Sequence, residues 1–183
     1  IASVVPKPVL FGGAALIAGH LGHRATRDLD LRWAGRATLG TATADTLHAL
    51  RSAGMHAEVI QTAPSFVRLR ATSDGAGVVV DLVAEAFEEL AALEPLAVDG
   101  VVFWIPSSED LLADKLCALL SRSELRDLHD VQALLTAGVQ LSVGLEKAAK
   151  RDLGFSAAML SWVLKSLPVA RLLAAHGGED TLG

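Results

Sequence analysis

Polar and apolar residues alternate along Arg27-Asp28-Leu29-Asp30-Leu31-Arg32. That period of two predicts a half-buried strand with both aspartates on its polar face. Upstream, Leu10-Phe11 runs into Gly12-Gly13 and then the apolar stretch Ala14 to Leu21, which predicts a tight turn followed by a short buried helix with the glycines at its start. Ala44 to Ala53 carries a helical period and is stopped by Gly54. Three strand-like runs follow, His56 to Thr62, Phe66 to Thr72 and Val78 to Val83, separated by Pro64-Ser65 and by Asp74-Gly75-Ala76-Gly77. They read as a hairpin or meander. Glu94-Pro95 to Asp99-Gly100 reads as a loop, and Val101 to Ile105 as a short strand ended by Pro106.

Beyond Pro106 the pattern is helical: Asp110 to Ala137, Val143 to Leu153 and Ser156 to Ala175, with breaks at Gly138, Gly154 and Pro168. Ser107 or Ser108 can cap the first of these, and Glu109 and Asp110 suit its positive end. The expected architecture is mixed α/β first and all-helical second, divided as 1–106 and 107–183.

With 183 residues, 51% of them hydrophobic, the chain can bury one core, or one core with a helical satellite. Its formal charge of −5 repels nucleic acid overall, so a nucleotide or RNA site has to be a local basic patch. The single cysteine, Cys117, falls in an apolar helical pattern and reads as a core residue of a reducing compartment. The apolar run Val9 to Gly19 is too short to span a bilayer. A cytoplasmic protein without a membrane partner is therefore expected. There is no tyrosine, which excludes a phenolic nucleophile.

Residues two apart on a strand point the same way, about 6.5–7 Å apart, so Asp28 and Asp30 can chelate hard cations between them. Asp81 interrupts the apolar run Val78-Val79-Val80-Asp81-Leu82-Val83, and its charge there requires compensation. A shared metal ion would provide it, as would an arginine such as Arg68 or Arg70. Gly12 and Gly13 let backbone N–H groups approach an anion at a helix start. Lys115, Arg122 and Arg126 recur at two- and three-turn spacing, which on one continuous helix makes a cationic stripe. Asp127 and Asp130 beside it are candidate ion-pair partners, for instance Arg126 with Asp130.

Four elements in order, Gly12-Gly13-Ala14-Ala15-Leu16, Arg27-Asp28-Leu29-Asp30-Leu31, Lys115-Leu116-Cys117-Ala118 to Arg122, and Arg126-Asp127-Leu128-His129-Asp130, resemble the signatures of the AbiEii/AbiGii-type toxin nucleotidyltransferases, which include the MenT-like toxins. The resemblance implies a polymerase-β-like nucleotidyltransferase core, a short mixed sheet with helices, followed by a C-terminal helical bundle. It implies that Gly12-Gly13 holds the phosphates of an NTP and that Asp28 and Asp30 bridge two Mg²⁺ ions, with Asp81 as third carboxylate. Lys115 and Arg122 would neutralise the triphosphate, with Arg126 in the last element. Ala14 stands where many nucleotidyltransferases have Ser, and His129 where Tyr is frequent. The expected activity is transfer of NMP to an acceptor hydroxyl, by family analogy the 3′ end of a tRNA, in a toxin controlled by a cognate antitoxin.

Arg24, Arg27, Arg32 and Arg36 form a local cluster that can meet RNA phosphates. Alternatives are a nucleotidyltransferase or phosphotransferase acting on a small molecule such as an aminoglycoside, and a non-catalytic binding module of the same fold.

Overall fold

The structure is a computed structural model and describes residues 7–22, 25–26, 28–86 and 92–167. The chain divides into two compact units, Ile1–Ser107 and Ser108–Gly183.

Among the described residues the first unit holds seven strands: β1 (Val9–Phe11), β2 (Asp28–Ala34), β3 (His56–Ala63), β4 (Phe66–Ser73), β5 (Ala76–Glu85), β6 (Leu93–Val98) and β7 (Val101–Pro106). They form one mixed sheet in the order β3-β4-β5-β2-β1-β7-β6, with β2 parallel to β5 and β1 parallel to β7. Alternation sorts each central strand into two faces. Leu31 and Trp33 of β2, Val67, Leu69 and Ala71 of β4, and Val80, Leu82 and Ala84 of β5 lie in register on one face, all buried. This is the core of the unit.

Two hairpins turn on Asp-Gly pairs. Asp74-Gly75 joins β4 to β5 and Asp99-Gly100 joins β6 to β7; all four residues have positive φ, between 49° and 83°. A two-residue turn whose twist matches that of its strands requires this conformation, and Asp-Gly adopts it readily. The segment expected to be a loop, Glu94 to Gly100, is thus strand β6 plus its turn. Pro95 is tolerated because β6 is at the sheet edge.

After β1 the chain enters helix α1 (Gly12–Ala15), which widens into a π-helical segment, Leu16–Leu21. Ala14, Ala15 and Leu16 are buried, as the apolar run predicted. His20 Nε2 lies 3.0 Å from the Pro106 carbonyl oxygen and ties this segment to the end of β7. Helix α2 (Ala42–Ser52) buries Ala42, Thr46 and Leu50 and contacts β3.

The second unit holds α3 (Ser108–Ser121), α4 (Leu125–Thr136), α5 (Leu141–Arg151) and α6 (Ala157–Ser166). The expected single helix Asp110 to Ala137 is two helices. Ser123 adopts φ +55, and the chain turns there between α3 and α4. Serine favours caps and turns over helix interiors because its hydroxyl bonds nearby backbone, and Ser123 Oγ donates to the Leu119 carbonyl at 3.0 Å. Gly144 lets α5 approach α3 closely: a Cβ there would lie 2.6 Å from Leu112 Cδ2. An apolar cavity of about 910 Å³ in this unit is lined by Leu116, Leu119, Val131 and Leu160 among others, and by none of the candidate site residues. No helix among the described residues is long and apolar enough to cross a membrane.

Candidate active site

Strands β2 and β5 run parallel with Asp30 directly beside Asp81 and Asp28 beside Val79. In-register neighbours share a face, so Asp28, Asp30 and Asp81 all project from the sheet face opposite the core, across strands about 4.8 Å apart. The Asp-x-Asp strand and the interrupting aspartate of the apolar run are thereby brought to one place. Thr26 Oγ1 donates to Asp28 Oδ1 at 3.1 Å.

Strand β1 pairs antiparallel with β2, with Phe11 opposite Asp30, so the turn into α1 falls beside that carboxylate. Gly12 has φ +64, and a Cβ built on it would collide with Asp30 Oδ2. Both the backbone conformation and the close approach require glycine. The Gly-Gly turn and the Asp-x-Asp strand therefore form one packed feature, which spacing alone did not establish.

Asp81 has a second neighbour. Arg68 of β4 sits opposite it and grips it with two bonds, Nε to Oδ1 at 2.7 Å and Nη2 to Oδ2 at 2.6 Å. The bonds to Asp81 raise the Arg68 guanidinium pKa above its ordinary value; burial, the next largest effect, opposes them, and the charges of Asp81, Asp28 and Asp30 add to the rise. The sequence left the compensation of Asp81 open between a metal and an arginine; the structure pairs it with Arg68. Arg70, the other candidate, lies 3.9 Å from Glu58.

Magnesium-like ions take oxygen ligands. Asp28 and Asp30 supply carboxylate oxygens from one strand face, and the missing Cβ of Gly12 keeps space against Asp30. These residues fit such an ion. Among the described residues no three His, Cys, Asp or Glu side chains gather as a ready-made metal cage, and both Asp81 oxygens are bonded to Arg68.

The expected arginine cluster needs correction. Arg32 is only 4% exposed, with its guanidinium stacked 5.1 Å from the Phe11 ring centroid and 3.7 Å from Glu85. It lies two residues from Asp30 on the same strand face, where burial withholds it from an RNA phosphate. Arg36 is partly exposed, and Arg24 and Arg27 lie outside the described residues.

The cations of the helical unit also differ from a stripe. Lys115 is on α3, Arg122 just beyond its end and Arg126 on α4. Lys115 is 5% exposed, and its Nζ bonds Asp127 at 3.0 Å and Asp130 at 2.8 Å, both carboxylates fully buried. Arg122 forks onto Asp127 with bonds of 2.7 and 2.8 Å. Burial alone would raise the Asp127 pKa, but the Arg122 bonds and the Lys115 charge together outweigh it and hold it below the usual aspartate value. Arg126 Nε bonds Glu124 at 2.5 Å. Arg122 and Arg126 keep side chains about two-fifths exposed to solvent.

A mixed sheet with an Asp-x-Asp strand against a glycine turn, succeeded by a helical unit, is the architecture of the nucleotidyltransferase fold, and solved structures match it. The MenT4 nucleotidyltransferase toxin of Mycobacterium tuberculosis H37Rv superposes with a TM-score of 0.61 at 16% identity, over 79% of this chain and 56% of that one. An antigenic nucleotidyltransferase-like protein from Paracoccidioides brasiliensis gives 0.54 at 20% identity, over 90% and 80%. The antibiotic-resistance factor ANT(2″)-Ia, in complex with adenylyl-2″-tobramycin, gives 0.55 at 15% identity, over 79% and 87%. At these identities the likeness establishes the fold, and the chain spans little more than half the length of MenT4. The model of the nucleotidyl transferase AbiEii toxin family, of type IV toxin–antitoxin systems, matches residues 3–176. The chain belongs to that family. No curated protein matches it.

Proposed function

We propose that the protein is a Mg²⁺-dependent nucleotidyltransferase that moves NMP from an NTP to an acceptor hydroxyl and acts as the toxin of a toxin–antitoxin pair. The observation that carries this reading is the placement of Asp28, Asp30 and Asp81 on one sheet face with Gly12 against Asp30.

In this reading Asp28 and Asp30 hold two Mg²⁺ ions, Asp81 is the third carboxylate, and the turn Gly12-Gly13 holds the nucleotide phosphates. Bound Mg²⁺ would lower the charge barrier at the α-phosphate and stabilise the leaving group. The acceptor oxygen bonds to the α-phosphorus as the bond to pyrophosphate breaks, and pyrophosphate departs. Asp81 orients the acceptor hydroxyl and accepts its proton at a carboxylate oxygen. Arg122 and Arg126, whose side chains are about two-fifths exposed, are proposed to neutralise the triphosphate, and Lys115 orders their element through its buried bonds to Asp127 and Asp130. The reaction is placed in the cytoplasm with a cognate antitoxin as controlling partner, a reading that membership of a toxin–antitoxin family supports.

The proposed acceptor is the 3′ end of a tRNA, met by Arg24, Arg27 and Arg36. A second reading, a small hydroxylated cation as acceptor, gains from the burial of Arg32, from the formal charge of −5 and from the shared fold of ANT(2″)-Ia, whose complex contains an adenylylated tobramycin. Incubation with Mg²⁺, each α-³²P-labelled NTP, and either total tRNA or a panel of aminoglycosides separates them. Label on tRNA, lost as salt rises, supports the first acceptor. Label on an aminoglycoside alone supports the second, and diphosphate nucleotide in place of pyrophosphate would make the reaction phosphoryl transfer. No transfer and no Mg²⁺-dependent NTP binding would point to a binding module.

A further inference from the structure

Three carboxylates on one sheet face repel one another, and in this protein one strand further along the sheet supplies a cation to them. Arg68 and Asp81 are register partners across an antiparallel pair whose alignment is fixed by the Asp74-Gly75 turn. The guanidinium meets both carboxylate oxygens in the fork geometry that suits arginine and not lysine. The Phe66 ring on the same strand lies beneath it, its centroid 5.6 Å from the guanidinium carbon. Asp81 is buried, but the Arg68 side chain is 41% exposed, so it has an open side toward which it can move without disturbing the core.

We propose that Arg68 is a positioning residue that competes with the divalent cation for Asp81: its guanidinium occupies both oxygens of the third carboxylate and has to be displaced before Asp81 joins Asp28 and Asp30 around a metal ion. This rests on the metal site proposed above. Arg68 thereby makes cation loading at this face a replacement of one positive group by another. Cation affinity is lower than the three carboxylates alone would give, and the face keeps a counter-charge throughout.

Calorimetric titration of EDTA-treated protein with Mn²⁺ tests this directly, with wild type, Arg68→Gln, Arg70→Gln and Asp28→Asn compared. Arg68→Gln removes both the competitor and its charge, and Mn²⁺ should bind about tenfold more tightly, the order of one charge-assisted bond discounted for partial exposure. Arg70→Gln removes the same charge two residues away without touching Asp81 and should change affinity by less than about twofold. The Mg²⁺ concentration for half-maximal transfer should fall in Arg68→Gln in step with Mn²⁺ affinity, which a merely structural arginine would not produce.

If Arg68→Gln fails to fold by circular dichroism, Arg68→Lys serves in its place, because a point-charge ammonium cannot hold both oxygens as the fork does. Its affinity should then fall between those of wild type and a tenfold tighter site. Mn²⁺ that binds wild type, is lost in Asp28→Asn, and binds the Arg68 variant no more tightly would overturn the role of Arg68 while leaving the metal site standing. Equal tightening by Arg70→Gln would overturn it too, as a bulk charge effect. Absence of Mn²⁺ binding in wild type and Arg68→Gln alike would overturn the metal site and this inference together.

Discussion

Replacing Lys115 by methionine keeps all but one atom of the side chain's length and removes its charge from between two carboxylates that are themselves fully buried. Asp127 and Asp130 are 0% exposed, and Lys115 Nζ lies 3.0 and 2.8 Å from them. Removing one partner of a buried ion pair costs about 3–5 kcal/mol, because the remaining charge stays desolvated. Arg122 continues to hold Asp127 through its two bonds, so the lower part of that range is expected, about 3 kcal/mol. A domain is stable by only about 5–15 kcal/mol. Urea denaturation followed by circular dichroism should therefore move its midpoint down by about 1–3 M, with m-values of about 1–3 kcal/mol/M. Asp130→Asn added to Lys115→Met should recover part of the loss, since it neutralises a carboxylate whose counter-charge has gone. A cation that merely faced solvent would cost under about 1 kcal/mol. A midpoint shift below about 0.3 M would therefore refute the buried-cluster reasoning. The same result bears on any activity loss in this variant, which should be read beside its folded fraction.

Acid should weaken the same cluster. Asp127 has a folded pKa below its unfolded value, so its contribution is complete above the ordinary aspartate pKa of about 3.9 and is lost as pH falls through the lower folded value. Urea midpoints measured from pH 6 down to pH 2 should drop in that acid window, and Lys115→Met should flatten the drop; an unchanged slope would contradict the pairing. Burial, then the charges of Asp114 and Asp152, push the Cys117 thiol up to about 11 from 9.0. At pH 8 its alkylation by iodoacetamide, followed by mass spectrometry, should run about a hundredfold slower than that of a free thiol, and a rate near the free value would contradict the burial. Gly12→Ala meets both a positive φ and the Asp30 carboxylate, so it should lower stability by more than about 1 kcal/mol and weaken Mn²⁺ binding. Unaltered cation affinity in a folded Gly12→Ala protein would separate the turn from the site.

The period-two run around Asp28 and Asp30 and the β4–β5 hairpin were legible because alternation and turn chemistry are local. The same locality made the register of Arg68 and Asp81 readable in principle: two-residue closure at Asp74-Gly75 places them opposite each other. Strand β6 is hidden in the sequence by Pro95, which donates no ladder bond, although Asp99-Gly100 is the same hairpin signal. Asp30 beside Asp81 could not be read from sequence, because a parallel pairing between strands separated by a whole meander leaves no local mark. The break between α3 and α4 is hidden in the sequence because the apolar period continues through the turn at Ser123. With that break, the cationic stripe became the cluster in which Lys115 holds Asp127 and Asp130. Proximity in sequence groups Arg32 with Arg24, Arg27 and Arg36 as a cluster that can meet phosphates, but it is buried. The aromatic ring that covers it, Phe11, belongs to a neighbouring strand and is visible only in the fold.

The most direct measurement is pyrophosphate release from NTP, with acceptor present, by wild type, Asp28→Asn and Asp30→Asn, each first shown to be folded by circular dichroism. Wild type should release pyrophosphate only with Mg²⁺, and both variants should fall to background. Release by either variant at a rate near that of wild type, or release by wild type in EDTA, would contradict the account.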